Sequence, residues 1–125
     1  MLGGTGAVGS AVVRALLAGD VWRRVTMIVR RPAPSGDLQD SRIERHVVDV
    51  FDPTTYERHL AGHGAAFCTL GLGEPSKHSR AEFRRVDLEC AAGFAAACRR
   101  QGVTHFSLLT AVGANPRSSV YYSRI

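Results

Sequence analysis

No stretch of the 125 residues is apolar for the roughly 18 or more positions that a membrane-spanning helix needs. The first residues carry none of the basic, apolar and small-residue segments of a secretory leader. There is no internal repeat, no low-complexity tract and no linker. Cysteine is scarce. Cys68, Cys90 and Cys98 are an odd number with no C-x-x-C spacing, so they build neither a disulfide framework nor a zinc site. All three lie in apolar or alanine-rich runs, which predicts buried free thiols in a reducing compartment. Among the five histidines, His59 and His63 are four apart, but Gly62 breaks the helix that a metal pair would need, so no metal is expected. A net charge of +5 comes without a helix-turn-helix, an aromatic platform or a zinc pattern, which argues against nucleic acid. The basic residues fall in short pairs, Arg23/Arg24, Arg30/Arg31, Arg84/Arg85 and Arg99/Arg100, and most such pairs are solvated surface. What remains is one globular domain, residues 1–125, with the cytoplasm as the default location and no membrane partner.

What is present alternates between apolar strand-like runs and helix-like runs, the pattern of βαβ units on a parallel sheet. Met1-Leu2 leads into a glycine loop, Gly3 to Gly9. A helix is predicted from about Ala7 to Ala18, with Val8, Val12, Ala15 and Leu16 on its apolar face. Val25 to Val29 reads as a buried strand, Pro32 to Asp40 as a proline-broken loop, and His46 to Val50 as the next strand. Asp52-Pro53 predicts a capped short helix to about Leu60. Ala65 to Leu70 is a third strand and Gly71 to Ser79 a loop. Arg80 to Arg100 is a long helix stopped by Gly102, with Phe83, Val86, Cys90, Phe94, Ala97 and Cys98 as its core stripe. Val103 to Leu109 is a fourth strand, Thr110 to Ser118 a loop, and a last helix begins near the C-terminus.

The glycine loop carries the first functional signal. Gly3-Gly4-Thr5-Gly6-Ala7-Val8-Gly9 has glycine every third position between a strand remnant and an amphipathic helix. Gly3 would allow the sharp turn out of the strand, Gly6 the close approach of a pyrophosphate, and Gly9 tight packing of the helix. The free N–H groups and partial positive charge of the helix start suit phosphate. No Gly-Lys-Ser/Thr follows, so this is not a P-loop. The second signal is Arg30-Arg31. In a dinucleotide site, an acidic residue about 20 positions past the loop holds the ribose 2′-hydroxyl. Arginine stands there instead, and its planar fork suits a 2′-phosphate, which points to NADP(H) as the cofactor. The fold expected from this is a Rossmann-type doubly wound parallel α/β sheet.

These motifs, followed in order by Val48-Asp49, Ala66-Phe67-Cys68-Thr69-Leu70-Gly71, Phe83-Arg84-Arg85-Val86-Asp87 and His105-Phe106-Ser107-Leu108-Leu109, resemble the atypical short-chain dehydrogenase/reductases. Within them the chain resembles the branch of the Tat-interactive protein and its bacterial relatives. The resemblance implies that Gly3, Thr5, Gly6, Ala7, Val8 and Gly9 line the diphosphate, that Arg30 and Arg31 hold the 2′-phosphate, that Asp49 and Val50 sit by the adenine, and that Leu70 and Gly71 lie under the nicotinamide-side ribose. Tyr121-Tyr122-Ser123-Arg124-Ile125 matches the approach to the family's Tyr-x-x-x-Lys pair, which makes Tyr122 the candidate acid, with aromatic packing of Tyr121 and Tyr122 as the alternative. A lysine one turn away would lower the tyrosine pKa from its usual value near 10. Thr110 is the nearest hydroxyl at that strand end for holding a substrate carbonyl, with Ser118 and Ser119 in the loop as alternatives, because Ala111 stands where the family often has a second serine. Two activities follow: hydride transfer to a small carbonyl substrate, or NADPH binding that regulates a protein partner.

Two further expectations concern the ends. A full strand of about five residues normally precedes such a loop, at the centre of the sheet between its neighbours, whereas here Met1 and Leu2 stand there. The matched lysine would follow Ile125. The domain is therefore expected to be partial, truncated at the first strand and in its C-terminal part, to fold marginally on its own and to show little catalysis.

Overall fold

A computed structural model describes residues 1–32 and 38–124, without the side chain of Pro75. Part of the predicted loop Pro32 to Asp40, and Ile125 beside the Tyr122 motif, lie outside the described residues.

Among the described residues, four strands and four α-helices follow in the order α1 (Ala7–Leu17), β1 (Val25–Val29), β2 (Ile43–Val47), β3 (Ala65–Cys68), α2 (Arg80–Phe83), α3 (Ala91–Arg100), β4 (His105–Leu108) and α4 (Tyr121–Arg124). β1 pairs in parallel with β2 in the register Val25↔Ile43, and β3 with β4 in the register Ala65↔His105. Leu2 joins the two pairs, bridging Ile28 on one side and Cys68 on the other, both in parallel. The Leu2 N–H donates to the Phe67 carbonyl and the Thr69 N–H to the Leu2 carbonyl, each at 2.9 Å, while the Ile28 N–H donates to the Met1 carbonyl. The sheet order is thus β2-β1-Leu2-β3-β4. Met1-Leu2 lies at its centre, as the sequence predicts. Beside Met1 lies a cavity of about 380 Å³ whose lining includes Val25 and Thr26 of β1 and Ala65 and Ala66 of β3.

The alternation of side chains along these strands sends apolar groups to both faces. Met1, Val13, Val25, Met27 and Val29 form one core under α1. Leu2, Ile28, Val50, Tyr56, Cys68, Cys90, Phe94 and Cys98, among others, form the second under α3. Helices on opposite faces of one parallel sheet make the expected doubly wound α/β fold. The three cysteines are free and buried, in line with their apolar surroundings. Among the described residues no helix is long and apolar enough to cross a membrane.

Several sequence expectations are corrected. On α1 the inward residues are Gly9 and Val13, flanked by Val12, Leu16 and Leu17; Val8 and Ala15 are exposed. The inward face of α1 is thus the Gly9–Val13 line, which leaves Val8 and Ala15 on its outer side. The second strand is Ile43–Val47 rather than His46 to Val50. It pairs on one side only, and an edge strand keeps polar Glu44 and Arg45, which masked its start. Residues Pro53–Thr55 and Glu57–Leu60 are two 3₁₀ turns instead of one helix, although Asp52 does cap the first by accepting from the Thr54 N–H at 3.0 Å. The long helix is tripartite. Ser79 and Glu82 close a capping box at its start, and Arg84–Cys90 is π-helical between α2 and α3. Strands β3 and β4 are shorter at their ends than the apolar runs that contain them.

Glu57 fastens the end of α3 to the second 3₁₀ turn. It accepts from Arg100 Nε at 2.8 Å and Nη2 at 2.7 Å, and from Gln101 Nε2 at 3.2 Å. These bonds hold its carboxyl down at about 2, from an ordinary 4.5. A carboxyl depressed in the folded state stabilises the fold above the ordinary value and loses that contribution as pH falls through the depressed one. Urea unfolding is therefore expected to weaken between about pH 4.5 and 2, and Glu57→Gln to flatten that part of the acid limb.

Candidate functional site

The carboxyl ends of β1, Leu2 and β3 converge, and the chain leaves Leu2 for α1 on one face while α3 covers the other. In open α/β sheets this is the crevice where ligands bind.

Gly3 takes φ +83°, a conformation that L side chains rarely adopt. A Cβ on it would lie 2.5 Å from the Leu70 nitrogen and 2.6 Å from the Thr69 carbonyl carbon. A Cβ on Gly9 would lie 2.1 Å from the Gly3 carbonyl oxygen and 2.7 Å from Thr69 Oγ1. Both glycines are therefore required by the protein itself. Gly6 differs, because its Cβ would meet only the Gly3 oxygen, at an ordinary 3.4 Å. Thr5, Gly6, Ala7 and Val8 are exposed around that open position. α1 has Gly6 as N-cap, with no side chain capping it and no acidic residue in its first turn. Its leading N–H groups and partial positive charge thus face outward over a small-residue cradle, the donor set that a diphosphate needs.

Thr69, although part of a motif read from the sequence, was given no role there. Its hydroxyl donates to the Gly3 carbonyl at 3.1 Å and so braces the loop from the end of β3. A lone hydroxyl closing an apolar strand, between Cys68 and Leu70, was the available signal. Leu70 is half-buried against the core and Gly71 is exposed beside it. Asp87 was likewise read within a motif without a role. Its carboxylate accepts from the Leu72 N–H at 3.2 Å, and a Cβ on Gly71 would lie 3.2 Å from it. Burial raises this carboxyl above its usual range. It takes its position from the π-helical segment, which no periodicity announces.

Arg30 and Arg31 follow β1 directly and are both exposed at the crevice edge. Asp49 lies two residues past β2, exposed, with Oδ1 accepting from the Phe51 N–H at 2.9 Å. Val50 places its side chain in the core, and its carbonyl accepts from the Cys90 thiol at 3.1 Å. Tyr122, in α4, sets its ring edge-on to Phe83 at 5.6 Å, and His78 meets the same ring edge-on at 6.0 Å. Thr110 is exposed two residues beyond β4. The structure thus gathers the glycine loop, Thr69, Leu70, Gly71 and Arg30 at one edge, and brings Tyr122 to the helix that carries Asp87.

The sequence model described as NAD(P)H-binding matches residues 3–124. Protein HTATIP2 of Rattus norvegicus is 29% identical over 125 residues, covering 100% of this chain and 51% of the relative. Protein FMP52, mitochondrial, of Coccidioides immitis is 27% identical over 135 residues, covering 100% of this chain and 54% of the relative. The chain thus spans about half the length of these curated relatives. Among solved structures, a double mutant of the dTDP-glucose 4,6-dehydratase DesIV from Streptomyces venezuelae, with NAD bound, superposes with a TM-score of 0.78 at 20% identity, covering 90% of this chain and 39% of that one.

Proposed function

The chain belongs to the NAD(P)H-binding family, and on that premise we propose that it holds NADP(H) in an oxidoreductase of the short-chain dehydrogenase/reductase type acting on a small carbonyl compound. The observation that carries the reading is Gly6, the one glycine of the repeat whose missing Cβ the protein leaves unfilled. Bare α1 amides on one side and Arg30-Arg31 on the other give a dinucleotide its diphosphate and 2′-phosphate partners.

Bound in this crevice, a reduced nicotinamide dinucleotide would supply a hydride to a carbonyl carbon. The residues of the chain do the rest. Thr69 and Asp87 hold the two backbone turns that floor the crevice. Thr110 would hold the carbonyl oxygen by a hydrogen bond, and Tyr122 would donate the proton that this oxygen takes up as the alcohol forms. NADPH oxidation with a panel of carbonyl compounds tests this on the natural protein that carries the sequence. Tyr122→Phe is expected to lower turnover by about a hundredfold, within the range of general acid catalysis, with NADPH affinity unchanged. Undiminished turnover in that variant would remove the proton role.

One feature favours a second reading. Ala111 stands beside Thr110 where a second hydroxyl would strengthen substrate holding. A protein that binds NADPH without turning it over would instead regulate a partner whose affinity depends on the cofactor. Tight NADPH binding, no oxidation with any carbonyl, and a cofactor-dependent partner would together select it.

A further inference from the structure

Read as sequence, Arg84-Arg85 is one more solvated basic pair, but the fold gives Arg85 a particular place. It lies in the π-helical segment Arg84–Cys90. In an α-helix, residues five apart point about 140° away from each other around the axis. A π turn closes on the fifth residue, so it draws Arg85 and Cys90 toward the same side. The Cys90 thiol donates to the Val50 carbonyl at 3.1 Å, so that side looks onto the Asp49-Val50-Phe51 turn. The Arg85 guanidinium carbon accordingly stands 4.2 Å from the centroid of the Phe51 ring. Phe51 is itself held, by its N–H on Asp49 and by packing against the core.

Arg30, from the end of β1, shares this corner. Burial, with the Cys68 and Asp49 charges adding to it, pushes the Cys90 thiol up to about 11 against the charges of Arg30 and Arg85. The Val48 N–H donates to the Val29 carbonyl at 3.0 Å, so the end of β1 that carries exposed Arg30 lies beside the Asp49-Val50-Phe51 turn on which exposed Arg85 is seated. A guanidinium stacked on a ring is oriented by the contact, yet none of its in-plane N–H donors is consumed.

We propose that Arg85, seated on Phe51, is a specificity-determining residue that joins Arg30 and Arg31 in receiving the 2′-phosphate of the dinucleotide. The proposal rests on the NADP(H) reading of the crevice. Calorimetric titration with 2′,5′-ADP and 5′-ADP tests it, since the two probes differ by that one phosphate. Arg85→Gln is expected to weaken 2′,5′-ADP about tenfold, the scale of one or two charge-assisted hydrogen bonds, and to leave 5′-ADP within about twofold. Arg85→Lys, which keeps the charge but loses the fork, is expected to fall between. Equal weakening of both probes, or of neither, overturns the role of Arg85. A wild-type chain that does not prefer 2′,5′-ADP fails earlier and overturns the reading of the crevice itself.

Discussion

Gly6→Ala is expected to leave the fold as stable as wild type and to weaken NADPH binding about a hundredfold, whereas Gly9→Ala is expected to lose both. The two glycines are three residues apart and look equivalent in sequence. In the structure a methyl on Gly9 would be driven to 2.1 Å from a backbone oxygen that is itself braced by Thr69. Backbone cannot rotate out of the way as a flexible side chain does, so α1 must lift from the sheet. Overpacking of this kind costs about 3 kcal/mol or more, a large share of the stability of a small domain. A methyl on Gly6 meets only one ordinary contact, at φ −75°, which any residue adopts. It would stand instead where the diphosphate must approach the α1 amides. Chemical denaturation and NADPH titration of both variants separate the effects. Destabilisation by Gly6→Ala, or unchanged NADPH affinity in it, would show that the loop is shaped for the protein alone.

Arg30→Asp is expected to reverse cofactor preference, lowering NADPH affinity by about two orders of magnitude while NADH binding holds or improves. The substitution replaces a fork of donors with an acceptor. An aspartate there repels a 2′-phosphate but accepts from a 2′-hydroxyl. Arg30 follows a strand buried along its whole length and is itself exposed, so its exchange reports on the ligand rather than on folding. Parallel titrations with NADPH and NADH decide it. A wild type that prefers NADH, or an Arg30→Asp chain that keeps its NADPH affinity, would contradict the assignment.

Much of the fold was legible in the chain. Val25–Val29 matches its apolar run to the residue, because a strand buried on both faces needs continuous β-branched and apolar residues. The stripe of Phe83, Cys90, Phe94, Ala97 and Cys98 is the buried side of the long helix. Edge strand β2 was misplaced because none of its residues is fully buried and polar Glu44, Arg45 and His46 interrupt its apolar run. Of the candidate site, the glycine spacing and Arg30-Arg31 are local and could be read directly. Thr69 and Asp87 act on residues 66 and 15 positions away, and such pairings leave no trace in local periodicity.

By itself the sequence determined the order of strands and helices, the parallel sheet, the buried thiols, and a glycine loop on the same sheet edge as two arginines. All of these follow from short-range rules: side-chain alternation, glycine's backbone freedom, and the placement of charge along the chain. Only the tertiary structure decided which glycine is left open to a ligand, which hydroxyl and carboxylate floor the crevice, and where Arg85 stands. Those depend on how closely distant segments approach, and that distance is set when two cores close over the faces of one sheet.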